Sequence, residues 1–256
     1  MKKNSPRSNA VENSAGVECK PRLLFVGEGP DDVGRTQQHP GGAAAGFLQA
    51  ALRGPDDPVE ASELAFVIAD IRLWRTLSIP LHRTKKMSFS DVMVRDAERD
   101  RVRAALVIAS TQELDGVFVL KDCEQEGRFG VQISLRAARG DFEKNDSAVN
   151  RPRLVVATPS RVHETWLLAD RDAVKSVFGS EGTYKFSQSP EDRPPSETLK
   201  THIEAQSKRC LIKPHEARRR LAFRASPETL KKKCPKCYPA FLKDVDDELR
   251  PMILPS

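Results

Sequence analysis

No stretch of this 256-residue chain approaches the roughly 18 consecutive apolar residues of a membrane-spanning helix, so no membrane partner is expected. Residues 1–20, "MKKNSPRSNAVENSAGVECK", have no apolar h-region and read as a disordered leader rather than a signal peptide. Cysteine is scarce: there are five, an odd number at irregular spacing. That argues against a disulfide framework and for a reducing, cytoplasmic location. The phosphate-loop pattern G-x-x-x-x-G-K-[ST] occurs nowhere, so the chain carries no recognisable ATPase of its own. No internal repeat is visible either.

What is present is charge, unevenly placed. The chain has a net charge of +6, yet residues 200–237 alone hold twelve Lys/Arg against three Glu. A basic C-terminal third suits a polyanion such as nucleic acid. The same residues also suit a solvated helical face, since "PHEARRRLAF" is amphipathic.

Three short apolar runs punctuated by Gly, Pro or acid read as buried strands: "RLLFVGEG" (22–29), "GVFVLKD" (116–122) and "RLVVATP" (153–159). Helical patterns lie between them. One runs from Ser90, a candidate cap, with Val94, Ala97, Val102, Ala105 and Ile108 near helical spacing. Another covers "FGVQISLRAARGDF", and a third places Trp166, Ala169, Ala173 and Val177 on one face, ended by Gly179. "DDVGRTQQ" looks like a helix start, and "HPGGAAAG" like a flexible turn. "GFLQAALRG" and "ELAFVIADIRLWRTL" fit helix or mixed patterns, and "LHRTKKMS" reads as a basic loop. Short apolar strands separated by helices predict an α/β fold with a mostly parallel, helix-flanked sheet. The expected division is a leader at 1–20 and an α/β domain at 21–180. A Pro/Ser/Glu-rich loop and a helical, basic C-terminal subdomain follow at 181–256.

Each predicted strand delivers acid at its C-terminal end: Glu28 with Asp31 and Asp32, Asp122 with Glu124, and then Glu164. In open α/β sheets sites form outside the carboxyl ends of the strands, so these acids should converge. Unpaired carboxylates packed together repel, and a divalent cation relieves that repulsion. Hard oxygen ligands select Mg²⁺ or Mn²⁺. Glu28 and Asp32, four apart, would share a face of a helix starting near Glu28. Asp122 and Glu124, two apart, would share one side of an extended chain. Asp31 reads as a helix cap.

"VGEGPDD", "VLKDCE" and "ETWLLAD", in that order, resemble the TOPRIM-type family of small bacterial proteins known as DUF4276. That family is related to the nuclease half of the OLD (overcoming lysogenisation defect) proteins. "LKKKCPKCYPAFLKDVDDEL" also looks like the family's ending, so the resemblance spans most of the chain from about residue 22. It implies a TOPRIM-like fold and a Mg²⁺-dependent nuclease, with Glu28, Asp122 and Glu164 as catalytic groups. It further implies that Glu28, Asp32, Asp122, Glu124 and Glu164 hold the metal. Asp170 matches the closing Asp of the third motif, whereas the OLD-type catalytic Lys has no clear match, Lys121 and Lys185 being the candidates. The expected partners are nucleic acid, DNA ahead of RNA, and an ABC-type ATPase in anti-phage defence. A tRNA-cleaving ribonuclease and a non-catalytic subunit binding nucleic acid or the ATPase are the alternatives.

"CPKC" (234–237) invites zinc, but Cys210, His202 and His215 lack finger-like spacing, which favours packing and leaves a zinc-dependent adaptor as a further alternative. His163 could be a general base, although packing or surface is the simpler role, and Trp166 is expected to pack its helix on the sheet.

Overall fold

The computed structural model describes residues 20–34, 42–53, 64–77, 97–123, 128–145, 150–160, 162–186, 189–192 and 196–253. The leader at 1–20 therefore lies outside the described residues but for its last member, as do the basic loop at 81–88, Ser90, Val94 and Glu124.

Four parallel strands form one sheet: β1 (Arg22–Gly27), β2 (Val67–Leu73), β3 (Gly116–Leu120) and β4 (Arg153–Ala157). Their order is β2-β1-β3-β4, with Phe25 beside Phe118 and Phe118 beside Val155. The fold is α/β with an all-parallel sheet flanked by helices. β1, β3 and β4 are the runs that sequence marks as strands. β2 is an additional one, drawn from the ambiguous "ELAFVIADIRLWRTL" segment and lying at the sheet's edge.

Because strand side chains alternate faces, one face presents Leu23, Phe25, Phe118, Leu120 and Val155, the other Leu24, Val26, Val117, Val119 and Val156. The second face is covered by α3 (Ala97–Thr111) and α4 (Arg128–Asn145). The first receives α2 (Gly42–Leu52), α5 (Glu164–Ala169), α6 (Arg171–Phe178), α7 (Ser196–Arg209), α8 (Pro214–Arg224), α9 (Pro227–Lys233) and α10 (Tyr238–Asp244). A four-residue α1 (Pro30–Val33) follows β1, and a π-helical turn (Val245–Leu249) leads into α11 (Arg250–Ile253).

Three expectations change. The flexible turn expected at "GGAAAG" is helix from Gly42 onward: Gly42 opens α2, and Ala43, Ala44 and Ala45 are fully buried in it, while Gly41 lies outside the described residues. The segment 164–179 is two helices, broken at Asp170. There φ −91° and ψ 100° leave the helical region, and the carboxylate caps α6 by accepting from Asp172 N and Ala173 N. The stretch read as loop at 180–200 already enters α7 at Ser196. Among the described residues no helix is long and apolar enough to cross a membrane.

Candidate functional site

The carboxyl ends of β1, β3 and β4 open on one edge of the sheet, and the chain turns sharply there. At Gly27 an added Cβ would come within 2.7 Å of Val33 Cγ1 and 3.0 Å of Asp32 Cβ, so only glycine lets α1 fold back onto its strand. Asp32, not Asp31, secures that turn, with Oδ2 accepting from Gly29 N at 2.7 Å. The helix begins at Pro30, two residues later than the shared-face argument for Glu28 requires.

After β3 come Lys121 and Asp122; after β4, the bridge of Ser160 to Cys123 carries the chain into His163 and Glu164. His163 is buried at the centre of the acids. Its Nδ1 lies 3.4 Å from Asp32 Oδ1 and 3.6 Å from Asp122 Oδ1, and its Nε2 lies 3.7 Å from Glu164 Oε1. Its backbone N–H donates to Asp122 Oδ1 at 2.9 Å. Glu28 stands beside this group, accepting from Lys121 Nζ at 2.5 Å, and Lys121 also donates to Asp122 O at 3.0 Å. Arg218, a buried side chain from α8, donates through Nε to Glu164 Oε1 at 3.1 Å and reaches Asp31 Oδ2 at 3.5 Å.

Glu28, Asp32, Asp122 and Glu164 are thus brought to one place, from chain positions more than ninety residues apart. Glu124 lies outside the described residues. Asp170 lies elsewhere, capping α6 and accepting from Ser226 N at 2.7 Å. Lys185 is exposed, whereas Lys121 is part of the cluster. Cys234 and Cys237 are buried and form no disulfide, and the nearby Glu191 carboxylate accepts from Lys236 N and Cys237 N. Burial pushes the Cys234 thiol far up, with Glu191 adding to the rise.

The electrostatics follow from burial and from these neighbours. Burial raises Glu28 above the ordinary carboxyl range, Lys121 pulls it down, and Asp122 and Asp32 add to the rise. Burial raises Asp32 likewise, against the opposing pull of His163. Burial works against a charged His163, but Glu164, Asp32 and Asp122 reverse it and lift the ring to about 10. The same burial would raise Glu164, yet His163 and Arg218 hold it below its usual value. Lys121 resists burial through its hydrogen bond and charge with Glu28, and sits above the usual lysine range.

The mutual repulsion expected of these acids is therefore met in part by three cations of the chain itself: Lys121, His163 and Arg218. Among the described residues no three His, Cys, Asp or Glu side chains stand as a ready ligand shell. The donor chemistry nonetheless fits a hard divalent ion. The acids are hard oxygen donors close enough to raise one another's proton affinity, and Glu164 Oε2 is a buried oxygen with no hydrogen-bond partner.

Sequence reasoning gave His163 a packing role and did not select Arg218. The signal for His163 is its position beside Glu164 at a strand end. For Arg218 it is the four-residue step to Ala222, which puts it next to the buried stripe of Ala217 and Leu221. No family model, curated protein or solved structure matches the chain.

Proposed function

We propose that this protein is a Mg²⁺- or Mn²⁺-dependent nuclease of TOPRIM type that hydrolyses phosphodiester bonds in nucleic acid, DNA ahead of RNA. It would work in the cytoplasm alongside a separate ABC-type ATPase. The observation that carries the reading is the convergence of Asp32, Asp122 and Glu164 around one buried imidazole at the carboxyl edge of the sheet, with Glu28 beside them on Lys121. Lys121, His163 and Arg218 face these carboxylates and Asp31, and Lys121 is shared with Glu98 at 3.7 Å, so negative charge is in excess and a divalent ion would relieve it.

Asp32, Asp122 and the unpartnered oxygen of Glu164 would hold the ion after releasing their contacts with the His163 ring, and the ion would supply polarisation of the scissile phosphate and a more acidic water. Glu28, its carboxyl raised by burial, accepts the proton of the attacking water. Lys121 holds Glu28 in place and sets a positive charge beside the phosphate oxygens as negative charge develops on them. His163 and Arg218 keep Glu164 ionised and oriented.

The test is incubation of the purified protein with single-stranded DNA, duplex DNA and tRNA in Mn²⁺. Cleavage is expected, with Glu28→Ala and Asp122→Ala each lowering the rate by about a hundred-fold or more. Preference for tRNA would make it a ribonuclease. Unchanged biological function in both variants would reduce it to a non-catalytic subunit.

A further inference from the structure

A cavity of about 200 Å³ opens between α1 and α8, lined by Pro30, Asp31, Gly34, Gly42, Glu216 and Arg219, with His215 at its side. Its two walls are the elements that furnish the acid cluster: α1 carries Asp32, and α8 carries Arg218. Arg218 joins the walls through Asp31. Asp31 thus lines the cavity and is tied through Arg218 to Glu164 of the acid cluster.

The size is below the roughly 300–1,000 Å³ of pockets for drug-sized ligands and suits one small ring system. The lining narrows the choice further. Gly34 and Gly42 contribute backbone and no side chain, and Pro30 contributes an apolar ring. Arg219 offers a planar guanidinium, supported by the Phe223 ring 5.3 Å away. Asp31 and Glu216 offer acceptor oxygens. Charge alone does not select the occupant, because Asp31 and Glu216 are offset by Arg219 in the lining and paired with Arg218 and Arg220; a bare phosphate would leave the Pro30 ring and the guanidinium plane without a partner. A nucleobase has a π face for the guanidinium and N–H donors for the carboxylates. A base pair has those donors occupied and is too large.

We propose that this cavity takes one unstacked nucleobase of the substrate strand, adjacent to the phosphate placed at the acid cluster. The preferred bases carry an exocyclic amino group. The substrate is then single-stranded nucleic acid, or a duplex with one nucleotide turned out. The link from base to cleaved phosphate rests on the nuclease reading above; the binding of the base does not.

The experiment uses the full chain in EDTA and follows the anisotropy of a short fluorescein-labelled mixed-sequence strand, alone and annealed to its complement. The single strand is expected to bind about ten-fold tighter than the duplex. Arg219→Lys, which keeps charge but loses the plane, and Glu216→Gln should each erase most of that preference while leaving duplex affinity unchanged. Oligo(dT) should bind more weakly than the mixed strand. Equal affinity for single strand and duplex overturns the proposal, as does an equal loss for both in the two variants. In Mn²⁺, both variants should hydrolyse the base-free diester bis(p-nitrophenyl) phosphate as the wild type does. A wild type inert toward that diester but retaining the single-strand preference removes the nuclease reading and supports the base site.

Discussion

His163 shows how one residue can decide what a cluster of acids is. Surrounded by Asp32, Asp122 and Glu164, it carries a proton to about pH 10, where a free imidazole gives it up near 6.5. Because the folded value is the higher one, its stabilising effect is fully present below about pH 6.5, where both states are charged. Above that the unfolded chain loses the proton and the folded one keeps it, so the contribution shrinks and is gone once the pH passes about 10. His163→Gln should therefore cost about 3–5 kcal/mol near pH 6. The gap from wild type in urea unfolding should narrow steadily toward pH 10, and a gap that does not change with pH would mean a neutral ring. The lost charge also leaves the acids short of one cation, so added Mg²⁺ should raise the melting temperature of His163→Gln more than that of the wild type. The acids themselves are legible in the sequence only jointly, because each alone reads as a cap or turn residue, as Asp32 partly is, while three acidic ends of apolar runs together point to one edge. His163 and Arg218 are not, since their burial depends on Asp32 and on α2, which lie far away in the chain.

At the scale of elements, legibility tracks how many faces a segment buries. β1, β3 and β4 are buried on both faces and read as unbroken apolar runs; β2 lies at the edge, and its "VIADIRL" carries a half-buried Asp70 and an exposed Arg72. The helix α2 escapes the pattern because its small residues are there for close approach. An added Cβ on Gly46 would lie 2.5 Å from Ala222 Cβ and 2.8 Å from Phe223 N, on the helix that carries Arg218. Gly46→Ala should accordingly destabilise by about 1–3 kcal/mol. Alanine's better helix propensity, worth about 1 kcal/mol, works against that loss. A variant more stable than wild type in urea would show that α2 and α8 are not in tight contact. The break at Asp170 was hidden because Trp166, Ala169, Ala173 and Val177 keep helical spacing straight through it. Asp170→Ala removes the cap of α6 and the anchor for Ser226 N together, and should cost about 1–2 kcal/mol in the same assay.

For the whole molecule, the division of the chain near residue 180 marks a change of composition and not of core. Phe241 of α10 lies 5.9 Å from Phe118 on the sheet and 5.8 Å from Trp166, which in turn lies 4.9 Å from Tyr238. Asp244 closes the outer edge of β4 by accepting from Val156 N while Arg136 of α4 grips its carboxylate, so the last helices touch both faces of the sheet. A layer this entwined should unfold with the strands it covers. The two tryptophans report on that directly, since Trp166 sits in the core on one face and Trp74 in the core on the other. With Trp74→Phe and Trp166→Phe as single-reporter variants, each fluorescence transition in urea should share its midpoint with the circular dichroism of the same protein. Phe241→Ala should lower both midpoints together, by about 3–5 kcal/mol of stability. If Phe241→Ala shifted the Trp166 transition alone, the C-terminal helices would be a separate unit. Arg218 could then leave the acids without the sheet unfolding, and the site would be complete only while that unit stays docked.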